Sequence, residues 1–365
     1  MRYNPPVRLL LLIFLTLAGE LAASEATPAY PLWDGHESVA DYAKKVNLPP
    51  TKTLELGNGI KLELVLIPAG KFVMGTPKPE RPKETVRLGQ TILAFGGALV
   101  LGLLITVAKL TIRKRQQPNF SLRFLLVFIF AWSIVLFGGV RWHKADQAWV
   151  DYQYAQARYD SAERIEIPAH PVMLTQAFYM GKFVVTQAQF RAIVGKNPSK
   201  FIGKNNPVET VSWDDAQEFC QKLTKQLDEM VRLPTEAEWE YACRSGTMTM
   251  YYSGDTEADL SRVAWYSANS KNTTHSVGQK EPNAFGLYDM LGNVEEWCQD
   301  LYGNYPEFFA ENPQGPENGN YRILRGGSWQ YRSRECRVAD RYCNVPHECQ
   351  FHMGFRVVVS AFKTP

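Results

Sequence analysis

The chain has 365 residues, enough for one large or two ordinary domains, and 45% hydrophobic with 21% charged residues is the balance of a globular protein with a sizeable core. A formal net charge of +3 is too small to argue for nucleic acid, and the basic residues form no face that would track a phosphate backbone. Nucleic-acid binding is set aside on these grounds.

Three apolar runs break the globular pattern. Residues 9–23 follow Arg2 and Arg8 and lead into the small residues Ala22, Ala23 and Ser24, so 1–24 reads as a signal peptide, with an uncleaved signal anchor as the alternative. Residues 25–53 then read as an exported linker. Two further runs, about 91–110 and 122–140, each approach the ~20 residues that cross a bilayer as a helix. A pair of buried core helices is the alternative. The loop between the runs, with Lys109, Arg113, Lys114, Arg115 and Arg123, carries the positive charge of cytoplasmic loops and favours a transmembrane hairpin over 89–141. Both flanks are then extracytoplasmic, periplasmic or extracellular, and the lipid bilayer is an expected partner. No Gly or Pro interrupts 142–165, so 142–167 is predicted to be a helical stalk.

On either side of the hairpin lie 54–88 and 168–365. Leu62 to Ile67 is an aliphatic strand, Pro68 to Gly70 a turn, and Lys71 to Met74 a second strand. Ser212 or Asp214 caps a helix whose Ala216, Phe219, Cys220 and Leu223 recur at helical spacing and face a core. Thr235 and Glu238 have the form of a capping box opening the next helix. Beyond Gly246 regular signals fade into turn-rich chain dense in Gly, Asn, Tyr and Trp.

Four segments carry the chemistry: Arg232–Cys243 (RLPTEAEWEYAC), Gly286–Asp300 (GLYDMLGNVEEWCQD), Leu324–Trp329 (LRGGSW) and Gly354–Val357 (GFRV). They closely resemble the formylglycine-generating enzyme family, the sulfatase-modifying factor domain. The resemblance implies an irregular α+β fold related to C-type lectin domains, over about Leu54 to Phe362 apart from the insertion, so that 54–88 and 168–365 are two parts of one domain. It also implies a soft cuprous ion held by two thiolates just after the Arg-Gly-Gly-Ser motif. Here those two positions are Tyr331 and Cys336, beside the retained Ser328. Arg325 and Trp329 imply a substrate groove, in which Glu295 replaces an aromatic. The family's calcium site maps onto Asp289, Gly292, Val294 and Glu296, an oxygen-rich loop suited to that ion; alternatively Asp289 and Glu296 cap turns and pair with an arginine such as Arg325.

The six cysteines permit disulfides in an exported segment. Cys220 and Cys243 read as buried apolar residues, because their family partner positions are Val357 and Arg341. Cys343 and Cys349 form either a disulfide or, with His347 and His352, a zinc site. Cys298 either bonds Cys336 or serves as a second copper ligand. The expected function is a membrane-tethered member that binds an exported protein or peptide without the full copper site. The alternative is an oxidase converting a sulfatase cysteine to formylglycine.

Overall fold

The computed structural model describes residues 31–79 and 166–361, together with the helical positions 152, 153 and 156. The fold is mixed α+β. A five-stranded sheet has the order β1-β2-β5-β12-β6. Its members are β1 (Thr51–Gly57), β2 (Ile60–Ile67), β5 (Phe178–Gly181), β6 (Val231–Arg232) and β12 (Val358–Ser360). The aliphatic run in β2 follows from burial on both faces. Leu62, Leu64 and Leu66 join one core with Tyr179 and Val359, while Val65 and Ile67 join a second with Phe178, Met180 and Val358.

Three helices fix the two cores. These are α2 (Gln187–Val194), α3 (Trp213–Leu227) and α4 (Glu236–Arg244). In α3 the Ser212 hydroxyl accepts from the Asp215 amide at 3.0 Å, and the Asp215 carboxylate accepts from the Ser212 amide at 3.1 Å, a reciprocal cap. Ala216, Phe219, Cys220 and Leu223 are all buried, as their spacing predicts. In α4 the predicted box is present: Thr235 Oγ1 accepts from the Glu238 amide at 3.1 Å and the Glu238 carboxylate accepts from the Thr235 amide at 2.8 Å.

The expected linker is corrected over most of its length. Residues 39–45 form a short helix, α1 (Val39–Lys45), whose Tyr42 is fully buried and accepts from the Ala69 amide at 3.1 Å. Trp33 packs edge-on against Phe285 at 5.0 Å. A helix of seven residues shows too little periodicity to be read from sequence.

The insertion begins and ends at one point. Strands β3 (Gly70–Met74) and β4 (His170–Leu174) pair antiparallel with Met74 opposite His170. Beyond them the Thr76 amide donates to the Glu166 carbonyl at 3.1 Å, and Arg337 holds the Glu166 carboxylate with two bonds of 2.7 and 2.6 Å. The expected spans and nearly all of the stalk lie outside the described residues. Among the described residues no helix is long and apolar enough to cross a membrane.

A buried ionic lattice joins α4 to the remaining strands. Glu236 pairs with Arg341 at 2.6 Å, on β10 (Arg341–Asn344). Glu240 binds Arg244 at 2.7 Å and Arg325, which lies on β9 (Arg322–Arg325). Burial alone would raise the Glu240 carboxyl, but Arg244 and Arg325 outweigh it and hold it below its ordinary value. Removing one member of such a set leaves an uncompensated buried charge. Glu240→Gln should therefore cost about 3–5 kcal/mol in urea unfolding. Glu281→Gln, which breaks an exposed pair with Arg262, should leave the midpoint unchanged. Equal midpoints for the two variants would contradict this.

Candidate functional site

The site lies at the start of β7 (Glu295–Leu301), in the four-stranded sheet of order β10-β9-β7-β11. On one side β9 pairs antiparallel, with Glu296 opposite Arg325. On the other, β11 (Met353–Gly354) pairs parallel, with Met353 opposite Glu295, so His352 arrives beside Glu295 from a distant part of the chain. After β9 the chain turns through Gly326 and Gly327, with φ of +94° and +68°. A Cβ on Gly327 would stand 2.7 Å from Cys336 Sγ and 2.5 Å from the Glu335 carbonyl. Only glycine permits both that conformation and that approach. The turn delivers Trp329, whose amide donates to the Asn293 carbonyl at 3.0 Å, and then Tyr331.

Three polar side chains meet there. The Tyr331 hydroxyl lies 3.2 Å from His352 Nε2 and donates to Glu295 Oε2 at 3.4 Å, and His352 Nε2 lies 3.6 Å from the same oxygen. Gln330 Nε2 is 2.9 Å from His352 Nδ1. Burial pushes the His352 imidazole down to about 4, so it is neutral near neutral pH. Burial, reinforced by Asp340, holds the Glu295 carboxyl well above its ordinary value, and the Tyr331 phenol is likewise raised by burial and by Glu295.

The expected residues do not all meet here. Arg325 is not a groove residue. It is buried, donating to Glu240 and to the carbonyls of Val338, Ala339 and Asp340. Glu295 faces Tyr331 and His352 rather than the surface. Ser328 is fully buried with its hydroxyl unpartnered, and Cys336 is fully buried with its thiol pushed up by burial. A phenol, an imidazole and a carboxyl thus surround the family's copper position, and such a set does not fit a cuprous ion. Trp329 does border a surface feature: its ring lies 5.3 Å from Phe201 and 5.9 Å from Phe351. The Lys200 ammonium sits 4.3 Å from the Phe351 ring, and Ile202 beside it is 75% exposed. The sequence reading missed Phe201, Phe351 and the role of His352.

The thiols of Cys298, Cys336, Cys343 and Cys349 are free, so neither expected disulfide pair is bonded in this structure. Cys298 is buried on β7, and Cys349 is exposed. Among the described residues no group of three His, Cys, Asp or Glu side chains is placed to hold a metal, so the zinc alternative at Cys343, His347, Cys349 and His352 is not assembled.

The four calcium positions are divided in role. Glu296 accepts from Arg356 at 2.5 and 2.7 Å and from Trp239 Nε1 at 2.9 Å, which leaves little of its carboxylate free. Its arginine partner is Arg356 rather than Arg325. Asp289, with φ of +53°, accepts from the Gly278 amide at 2.7 Å and from Asn293 Nδ2 at 3.3 Å. Burial, with Glu296 adding to it and Arg356 opposing it, pushes its carboxyl up to about 6. Gly292 turns between them with φ of +71°, and Val294 is buried. Glu296, neutralised by Arg356, is therefore not free to ligate, and of the four positions Asp289 alone offers a desolvated carboxylate bonded only to neutral donors, the kind of oxygen a hard cation takes.

The fold and this turn place the chain among α+β proteins of the formylglycine-generating type. The sulfatase-modifying factor enzyme 1-like domain model matches residues 143–361, and the chain belongs to that family. It is 36% identical to the formylglycine-generating enzyme of Streptomyces coelicolor, over 42% of this chain and 52% of that one. It is 34% identical to the serine/threonine-protein kinase pkn1 of Chlamydia pneumoniae, over 53% of this chain and 34% of that protein. The chain therefore spans about half of the first relative and a third of the second. Among solved structures it resembles Treponema denticola variable protein 1, with a TM-score of 0.59 and 25% identity over 86% of this chain and 99% of that one.

Asp289 yields a prediction with a definite sign. Its folded-state value of about 6 exceeds the ordinary 3.8, so its stabilising contribution is present at low pH and lost as pH rises through about 6. In metal-free buffer the parent should lose roughly 2 kcal/mol relative to Asp289→Asn between pH 4 and 7. Parallel pH–stability curves for the two proteins would contradict the assignment.

Proposed function

We propose that this chain is a membrane-tethered, extracytoplasmic member of the family that binds a protein or peptide segment and does not perform the cysteine oxidation. The observation that carries this reading is the occupancy of the dithiolate position by Tyr331, bonded to His352 and Glu295. Oxygen activation at a cuprous ion needs two soft sulfur ligands, and a raised, protonated phenol is a hard donor that cannot replace one.

What the site retains is a recognition surface. Phe201 and Phe351, half-buried, offer ring edges to an apolar or aromatic side chain, the buried Trp329 ring backs them, and Lys200 adds a charge at the rim. Retention of a scaffold with a change of role is common in folds of this type. An exported sulfatase is one candidate source of the bound segment, since the Streptomyces relative is a formylglycine-generating enzyme. Calcium at Asp289 and the Gly292 and Val294 carbonyls would neutralise the desolvated acid and stiffen the loop before β7. The tether is supported by the two apolar runs with their basic loop, and by the meeting of the insertion's ends at Thr76 and Glu166.

Two measurements test this reading. A cuprous-ion competition titration should give the same weak affinity for the parent and for Cys336→Ser, while Tyr331→Cys should bind at least about tenfold more tightly. A displayed library of extended peptides should enrich a consensus on the parent and lose it on Trp329→Ala. Tight cuprous binding by the parent, abolished by Cys336→Ser, would overturn the reading, as would a library that enriches nothing.

A further inference from the structure

The cluster that displaces the copper pair has a geometry of its own. Tyr331 Oη, His352 Nε2 and Glu295 Oε2 are separated by 3.2, 3.4 and 3.6 Å. Three points so spaced lie on a circle of radius about 2 Å, which is the length of a zinc–nitrogen or zinc–oxygen bond. We propose that Tyr331, His352 and Glu295 form a binding site for a divalent transition ion of the zinc class, independent of any peptide bound at the neighbouring aromatic surface. No three His, Cys, Asp and Glu side chains of the described residues make such a group, and this one is complete only when the phenol is counted.

The donor chemistry is consistent throughout. One imidazole nitrogen with two oxygen donors is a borderline-to-hard set, which selects zinc-class ions over a cuprous ion. The His352 and Glu295 side chains are only 4% and 3% exposed, so a bound ion would be largely removed from water, while the partly exposed Tyr331 ring forms the outer wall. Among the described residues no cationic side chain is bonded to Glu295, whose contacts are the Tyr331 hydroxyl and the His352 ring. A desolvated carboxyl of this kind must either keep its proton or take up a cation.

The residue behind His352 completes the arrangement. Gln330 reaches Nδ1 at 2.9 Å, and its amide can present either nitrogen or oxygen there after a half-turn. With Nε2 on a metal, Nδ1 carries the proton and Gln330 Oε1 accepts it, which fixes the ring as outer partners do in histidine metal sites. Binding replaces the Tyr331 and Glu295 protons by the ion, so up to two protons leave to solvent for each ion bound, and no redox change is involved.

The full chain in detergent, stripped with chelator, provides the test, with Zn²⁺ and Co²⁺ as probes. Calorimetry should show one Zn²⁺ per chain, with proton release in buffers of different ionisation heat and a tyrosinate difference band in the ultraviolet. Tyr331→Phe, which preserves the ring, should weaken Zn²⁺ binding at least about 100-fold and remove that band. The double variant Cys343→Ser with Cys349→Ser should bind as the parent does. Absence of stoichiometric binding, binding without the tyrosinate band, or binding lost in the cysteine variant and kept in Tyr331→Phe would each overturn the proposal.

Discussion

Glu240 lies between Arg325 and Arg244, fully buried, and the placement of the site depends on that pairing. A carboxylate taken out of water is costly unless its partners are held in good geometry, so the helix carrying Glu240 and the strand carrying Arg325 cannot drift apart without stranding charge. The same helix presents Glu236 to Arg341 and the Trp239 indole to Glu296, which is itself forked by Arg356. Three motifs far apart in sequence are thereby tied to one helix of nine residues.

The consequence reaches the reactive position of the family through two glycines. Arg325 ends β9 at a fixed point, Gly326 packs within 3.0 Å of the Trp239 ring if given a Cβ, and Gly327 leaves room for Cys336. Tyr331 must then emerge where β7 and β11 run side by side, against His352 and Glu295. The scaffold that positions a thiolate pair in the family's oxidases positions here a phenol, an imidazole and a carboxyl. A fold can be kept while the residues at one position of it change.

Much of the frame was legible in the sequence. The aliphatic run of β2 and the spacing of Ala216, Phe219, Cys220 and Leu223 are local patterns with one physical solution each, and Ser212 and Thr235 marked where helices start. The failures were non-local. Arg325 reads as a groove residue until its carboxylate partner, 85 residues earlier, is known. His352 reads as part of a cysteine-rich loop until the parallel pairing of β11 with β7 sets it beside Glu295. Glu295 itself was visible as a departure from the family pattern, but its partners come from two other segments. Helix α1 escaped notice because seven residues with two buried positions give no period.

The proposed loss of oxidase chemistry rests on Tyr331 standing where the family's oxidases carry a thiolate. The most direct measurement is mass spectrometry of a cysteine-containing sulfatase peptide after incubation with the reduced full chain, cuprous ion and oxygen. With Tyr331 in that place, the peptide should keep its mass. Multiple-turnover conversion to the formylglycine mass by the parent, lost in Cys336→Ser, would contradict it.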